Sequence, residues 1–470
     1  MKHILLIGAA LGVYANSVVA QKEQPLPKEL PPYGADQPLR GPEVRVTTLP
    51  NGLTVWAATQ PGLPKVAVAL TTIGGLATDP TELPGLSELL ASTITQGTAT
   101  RSAHQVAQQM QAVGGDLTAT ADAEATTVST TVLSESVGQA LSLVADVVQH
   151  ATFPDSEVAI AKRNLASSLE EREATPDFQR RRVLAKVLFG TSPYNIVGPT
   201  NASIAVMTPA ALRAEYVRRF RPDQSLLVLV GDIKTDVVSS LVRDKLGAWT
   251  NPAGAPEMLP PAPKNAPQHA IYVVPRAGSV QTTLALGVLA PAKSQDDYAA
   301  TELATTIYGG SFSSRLMANI REDKGYTYSP YSNLQALRSV GSLRTVADVR
   351  NAVTGPALNE ILYELNRMAT TSPTDRELAL AKRYRVGLYA TLFQSRSLLA
   401  SQLAANWVLG LPSTEIELHA HKVAAATLAD VDAAARKYFP ASLQTIIAVG
   451  EDSVVRSQLS PFGLPMIPAP

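Results

Sequence analysis

The chain has 470 residues, 45% of them apolar, and its 40 Lys and Arg are balanced by 40 Asp and Glu. That length exceeds what one hydrophobic core ordinarily supports, so two or more domains are expected, and the apolar content is that of a globular protein. Zero formal charge without a long basic run excludes the electrostatic footprint of a nucleic-acid binder, and the lack of cysteine excludes disulfides, thiol nucleophiles and cysteine-ligated metals.

In chain order, the first expected element is a secretory signal over residues 1–20: Lys2 and His3, an apolar run from Ile4 to Val13, then small residues ending at Ala20. A Pro-rich arm follows over residues 21–41. The mature chain is expected to be exported, into a bacterial periplasm, an oxidising compartment that a cysteine-free chain tolerates. No later stretch holds eighteen uninterrupted apolar residues, so no integral membrane segment is expected after signal cleavage.

From residue 42 both periodicities alternate. Leu53 to Ala58, Val66 to Ile73, Thr126 to Leu133 and Ser225 to Val230 are rich in β-branched residues and are predicted strands. Helical spacing covers Leu86 to Ile94, Ala103 to Val113, Val137 to His150, Asp155 to Glu173 and Pro209 to Arg219. The segment Ala248 to His269 carries six prolines and no periodicity, so residues 249–269 are predicted to link two domains. Beyond it Thr282 to Val288 and Leu343 to Val349 are predicted strands, and Tyr298 to Ile307 and Pro356 to Ala369 predicted helices. Residues 456–470 are expected to form a C-terminal tail.

An internal repeat organises these elements. Phe153-Pro-Asp-Ser-Glu-Val-Ala-Ile-Ala-Lys-Arg163 returns as Pro373-Thr-Asp-Arg-Glu-Leu-Ala-Leu-Ala-Lys-Arg383, and Val217 to Asp232 returns as Arg436 to Glu451, at offsets of 220 and 219 residues. The expected fold is therefore α+β: two duplicated domains, 42–248 and 270–455, each a mostly antiparallel sheet layered on one side by helices.

The stretch Gly85-Leu-Ser-Glu-Leu-Leu-Ala-Ser-Thr-Ile-Thr-Gln-Gly-Thr98 resembles the zinc helix of the pitrilysin and mitochondrial-processing-peptidase-like metallopeptidases. In that family Gly-Leu precedes, and Gly-Thr follows, an inverted His-x-x-Glu-His motif, whose imidazoles chelate zinc from one helical face while the glutamate activates water. Here the three places fall on Glu88, Ala91 and Ser92. An alanine cannot take a proton, a serine hydroxyl is a poor zinc ligand, and only Glu88 could coordinate. The family's third ligand falls near Ser167 or Ser168, with Glu170 and Glu171 close by. The resemblance implies that this chain binds no cofactor itself.

In the second half Tyr308-Gly-Gly-Ser-Phe-Ser-Ser-Arg-Leu-Met-Ala-Asn-Ile-Arg-Glu-Asp-Lys-Gly-Tyr-Thr-Tyr-Ser329 resembles the family's C-terminal-domain signature. There an arginine and a tyrosine seven residues apart reach the substrate at the zinc site, and they carry over onto Arg321 and Tyr328. A guanidinium offers a rigid donor fork to peptide carbonyls and a phenol can donate to a developing oxyanion. Gly325 is a plausible helix C-cap between them, while a helix-capping Arg321 and a core-packed Tyr328 are the structural alternative. Gly309 and Gly310 resemble a short form of the family's glycine-rich substrate loop, a helix-start turn being the alternative. Pro193, Tyr194 and Gly198 match a loop of the N-terminal domain. Gly114 to Thr120 resembles the turn and edge strand that pairs with substrate, placing Thr118 and Ala119 against peptide.

The resemblance implies a non-metal-binding subunit that forms a heterodimer with a homologous zinc-binding peptidase subunit and acts on peptides. A non-catalytic peptide-binding or structural scaffold is the alternative. His419 and His421 fall on different faces of a predicted helix and are read as solvated, as opposed to metal-binding. Neither a nucleophile elbow nor a phosphate loop occurs.

Overall fold

A computed structural model describes residues 38–470 except Asn265; the expected signal and most of the arm lie outside them. The β-branched runs pair into two six-stranded sheets. In the first half β1 (Val44–Thr48), β2 (Thr54–Thr59), β3 (Lys65–Ile73), β4 (Thr118–Ala121), β5 (Ala125–Leu133) and β6 (Ser225–Gly231) take the order β1-β2-β6-β3-β5-β4, with only β2 and β6 parallel. In the second half β7 (Ile271–Pro275), β8 (Gln281–Ala290), β9 (Tyr331–Ala336), β10 (Gly341–Arg350), β11 (Thr445–Gly450) and β12 (Met466–Pro468) take the order β12-β7-β11-β8-β10-β9, with β7 parallel to both neighbours. The halves thus share one strand order except at one edge. There the second half uses β12, so part of the expected tail over 456–470 is a strand that covers the edge which β1 covers in the first half.

The helices of the first half are α1 (Leu86–Thr93), α2 (Ala103–Ala112), α3 (Val137–His150), α4 (Asp155–Glu173), α5 (Pro176–Phe189), α6 (Asn201–Val206), α7 (Pro209–Arg219) and α8 (Thr235–Leu246). Those of the second are α9 (Tyr298–Thr305), α10 (Thr354–Thr370), α11 (Asp375–Leu392), α12 (Arg396–Val408), α13 (Glu415–Ala425), α14 (Leu428–Tyr438) and α15 (Asp452–Leu459). Their starts follow local chemistry. Thr175 and Thr208 accept N–H bonds from Phe178 and Ala211 with proline next in sequence, and Ser102, Thr200, Thr374 and Thr427 form capping boxes. Among the described residues no helix is long and apolar enough to cross a membrane.

Each sheet packs one face on helices of its own half, as expected. The other face is covered too, by a helix from the opposite half. Val183, Leu184 and Leu188 of α5 lie on Ala285, Val346, Ile447 and Val449 of the second sheet. Leu399, Ala400, Leu403 and Ala404 of α12 lie on Trp56, Ala69, Val228 and Val230 of the first. The helices begin 220 residues apart, the offset of the sequence repeat, so the exchange is reciprocal. Burying each such leucine contributes about 1.5–3 kcal/mol.

The described residues of the proline-rich segment between the halves have no regular structure, and Glu257 and Pro260 are fastened to the domains. The Gln224 side chain donates to Glu257 O at 2.6 Å and accepts from its N–H at 2.7 Å, while Ser339 of the second half donates to Pro260 O at 3.0 Å and the Tyr194 hydroxyl of the first lies 3.2 Å from the same oxygen. Beside it the buried Glu124 carboxylate accepts the Tyr194 hydroxyl at 2.5 Å and the Arg338 N–H at 3.0 Å, which ties the halves together. Burial raises the Glu124 pKa against those hydrogen bonds.

Candidate functional site

Helix α1 is held by its first turn. Gly85 has φ +86, and a Cβ there would stand 2.5 Å from Pro199, so only glycine fits. The Gly85 and Ser87 N–H groups donate to Asp79 at 2.7 and 3.1 Å. Fully buried Arg219 donates to Asp79 at 2.9 Å and to Ser87 Oγ at 2.5 Å. Burial raises the Asp79 pKa, and the Arg219 charge opposes that. Leu86, Leu89, Leu90 and Ile94 then fill the core, which turns Glu88 and Ser92 away from it.

On that outward face no metal-binding set assembles. Ala91 is buried and donorless. The Ser92 hydroxyl donates to Leu89 O at 2.9 Å. Glu88 receives the Arg172 guanidinium of α4 in a fork at 3.2 and 3.5 Å, and that guanidinium also lies 5.3 Å from the Phe178 ring centre. Ser167, Ser168, Glu170 and Glu171 are exposed, and it is Arg172 that α4 sends to Glu88. Gly198 packs so closely that a Cβ would lie 3.0 Å from Glu88 Oε1. One carboxylate already bound by an arginine does not fit zinc. Among the described residues no group of three or more His, Cys, Asp or Glu is placed to hold a metal.

The second-half residues come together differently. Arg321 lies in a wide-turned helical stretch, Met317–Asp323, ended by Gly325 in the left-handed region at φ +62. The Gly325 and Tyr326 N–H groups bond back to Arg321 O and Ile320 O at 3.1 and 2.9 Å, and the reversal returns Tyr328 over Arg321. The guanidinium lies 4.6 Å from the Tyr328 ring centre and 4.7 Å from that of Phe312. Tyr328 is 79% and Phe312 68% exposed, so neither is a core residue. Phe312 is missing from the sequence reading, although an aromatic in the polar run Ser311 to Ser314 is a signal in itself.

Gly309 and Gly310 end a wide helical turn, Thr306–Gly310, that continues α9. Gly309 is buried, and a Cβ on it would come within 2.8 Å of Ser332 Cβ, so its requirement is close packing against β9. Thr118 and Ala119 lie on β4, the edge of the first sheet. Thr118 is exposed there with its hydroxyl 3.2 Å from Ser129 Oγ, and Ala119 is half-buried against the core. His421 is exposed, but His419 is not solvated as expected: it is 1% exposed and bonds Glu302 Oε2 at 2.8 Å. Its acidic partner sits 117 residues earlier on α9, out of reach of any local spacing argument.

Two duplicated α+β halves that exchange a helix, with a zinc-helix frame that lacks its ligands, define a metallopeptidase-type fold in which no metal-binding set assembles among the described residues. The model of the insulinase family, peptidase family M16, matches residues 54–197, and that of the peptidase M16 inactive domain matches residues 207–384. Together these span well over half of the sequence, and the chain belongs to the M16 peptidase family. It is 28% identical over 400 residues to an uncharacterized zinc protease of Mycobacterium tuberculosis, covering 83% of this chain and 90% of that one. It is 26% identical over 396 residues to the uncharacterized zinc protease YmxG of Bacillus subtilis, covering 83% and 95%. The crystal structure of a peptidase M16 inactive domain from Pseudomonas fluorescens superposes with TM-score 0.81 at 25% identity, covering 91% of this chain and all of that one. A Helicobacter pylori protease shares the fold at TM-score 0.82 and 18% identity, covering 87% of this chain and all of that one.

Proposed function

We propose that the chain is the non-metal-binding subunit of a heteromeric zinc metalloendopeptidase, exported to the periplasm, and that it lends Arg321 and Tyr328 to the zinc site of a homologous partner. One observation carries the reading: the metal helix is closed off by Arg172, while half-buried Arg321 and exposed Tyr328 stand together on a capped turn. In this role the guanidinium holds a peptide carbonyl and the phenol donates to the oxyanion. Removing one such donor costs about 10²–10³ in rate. Thr118 and Ala119, on a strand at the edge of the first sheet, offer backbone groups to an extended peptide, and peptides are the substrate class.

The test is reconstitution with a homologous His-x-x-Glu-His subunit. The chain alone is expected to cleave nothing, and adding it to the partner is expected to raise peptide cleavage. Arg321→Ala and Tyr328→Phe should each remove most of that increase. Equal rates with either variant would leave the scaffold reading, which the missing metal ligands suit as well.

A further inference from the structure

Arg321 is braced by a ring outside the substrate groups. Phe312 stands at the corner of a tight turn over residues 311–314, closed by the Ser314 N–H donating to Ser311 O at 3.1 Å. The turn is firmly mounted: the buried Ser314 Oγ accepts the Met317 N–H at 3.3 Å, and Arg315 beside it is buried in an ion pair with Glu377. Phe312 itself packs into neither core and is largely exposed. The ring contact it makes among the described residues is with the Arg321 guanidinium, 4.7 Å from its centre.

An equivalent turn 212 residues earlier shows what the fold requires. Ser102 accepts the Gln105 N–H at 3.3 Å as Ser314 does that of Met317, and left-handed glycines, Gly114 at φ +73 and Gly325 at φ +62, close both stretches. At that offset Phe312 and Arg321 become Thr100 and Gln109, and Arg101 joins those two side chains by donating to them at 3.0 and 2.9 Å. The first half thus ties turn to helix with hydrogen bonds. The second ties them with a ring face, and the difference lies in what stays open. The N–H groups of a guanidinium lie in its plane, so a π-face holds the charge without using a donor. Nε of Arg321 is 3.2 Å from the Glu322 carboxylate and Nη1 is 3.8 Å from Met317 Sδ, which leaves Nη2 with no hydrogen-bond partner among the described residues. Tyr328 gives a second ring face at 4.6 Å, but a phenol that turns to an oxyanion leaves the arginine. Phe312 has no polar atom to be drawn away.

We propose that Phe312 is a positioning residue, which holds the Arg321 guanidinium in place with Nη2 open to a peptide carbonyl. Without the ring a long side chain at the surface spreads over many rotamers, and that freedom has to be given up when peptide binds. The effect on cleavage rests on the reading above, in which Arg321 is lent to a partner's zinc site. The hold on Arg321 is a property of this chain alone.

Two measurements test these separately. Nitrogen-15 relaxation of the Arg321 Nε–H in the full chain, without partner or peptide, is expected to report a rigid side chain in the wild type and in Phe312→Tyr, and a mobile one in Phe312→Leu. The melting temperature should not change at this exposed position. In the complex reconstituted with a saturating His-x-x-Glu-His subunit, Phe312→Leu should lower kcat/KM about three- to tenfold, chiefly by raising KM. Phe312→Tyr should keep the wild-type value, and Phe312→Leu should change nothing further in a chain that already carries Arg321→Ala. Equal Arg321 mobility in Phe312→Leu overturns the hold. An unchanged kcat/KM for Phe312→Leu, beside a lowered one for Arg321→Ala, overturns the part of Phe312 and leaves the lent arginine standing. A loss seen only at low partner concentration assigns the ring to the subunit contact and overturns positioning. If Arg321→Ala is without effect as well, the lent arginine falls and the role of Phe312 in cleavage falls with it.

Discussion

At the scale of single residues, Glu88 and Arg172 show what can stand where a metal would. In a zinc helix the ion joins this helix to the later one that carries the third ligand. Here a forked ion pair at 3.2 and 3.5 Å makes that link between α1 and α4, about three-quarters buried and backed by the Phe178 ring. Breaking it should cost on the order of 1 kcal/mol, as expected of a partly exposed pair with good geometry. It also blocks a simple return of the metal. A chain with Glu88→His, Ala91→Glu and Ser92→His should show no stoichiometric zinc by metal analysis while Arg172 is present. The same chain with Arg172→Glu in addition should gain zinc. Stoichiometric binding in the three-substitution chain would show that Arg172 does not guard the site.

At the scale of elements, the helix bearing Arg321 is held by a second arginine. Buried Arg315 forks onto Glu377, the third residue of α11, at 2.6 and 3.0 Å, and Thr374 adds its N–H at 2.8 Å and its hydroxyl at 3.0 Å. Burial alone would raise the Glu377 pKa, but these bonds hold it at about 2 against an ordinary 4.5. A carboxyl depressed in this way contributes its stability above pH 4.5 and loses it as the pH falls through about 2. Urea unfolding midpoints should therefore fall over that window, and Glu377→Gln should flatten the fall while lowering the midpoint at neutral pH. A variant with the same acid dependence as the wild type would show that this carboxyl does not govern it.

Elements also differ in how legible they were. Both ends of Asp155–Glu173 and Pro209–Arg219 could be read because Pro154 and Thr208 stop the chain at one end and a proline or a strand follows at the other. Helices α5 and α12 were missed, although they hold the halves together. Their buried residues answer to a sheet built elsewhere in the chain, and the second turn of α5 carries Gln179-Arg-Arg-Arg182, which reads as solvent-facing. The strand β12 was hidden by Pro465 and Pro468, which mark a tail unless a free edge lies beside them. At the site, the emptied motif and the Arg321–Tyr328 spacing were visible in sequence. The occupancy of that motif by Arg172 was not, since it depends on α1 meeting α4, and neither was the stacking on Phe312, a surface contact set by how the chain turns between residues 312 and 321.

At the scale of the molecule, the halves are duplicated in sequence but not independent in stability. Each leaves one sheet face to a helix supplied by the other. Residues 38–248 expressed alone should therefore expose Trp56, Ala69, Val228 and Val230, bind a hydrophobic dye and aggregate. Adding residues 249–470 in trans should restore a soluble, compact complex. A soluble first half with sharp unfolding would mean that α12 is dispensable.

The helix exchange also sets a timetable. The first sheet is complete in sequence at Gly231, but the helix that closes its second face ends at Val408. At ribosomal rates of about 5–20 residues per second, the roughly 180 residues between them take some ten to thirty-five seconds to appear. Throughout that interval the nascent first half carries an open apolar sheet with nothing yet made to cover it. The length of that exposure is set by the order of the chain's elements and not by their strength.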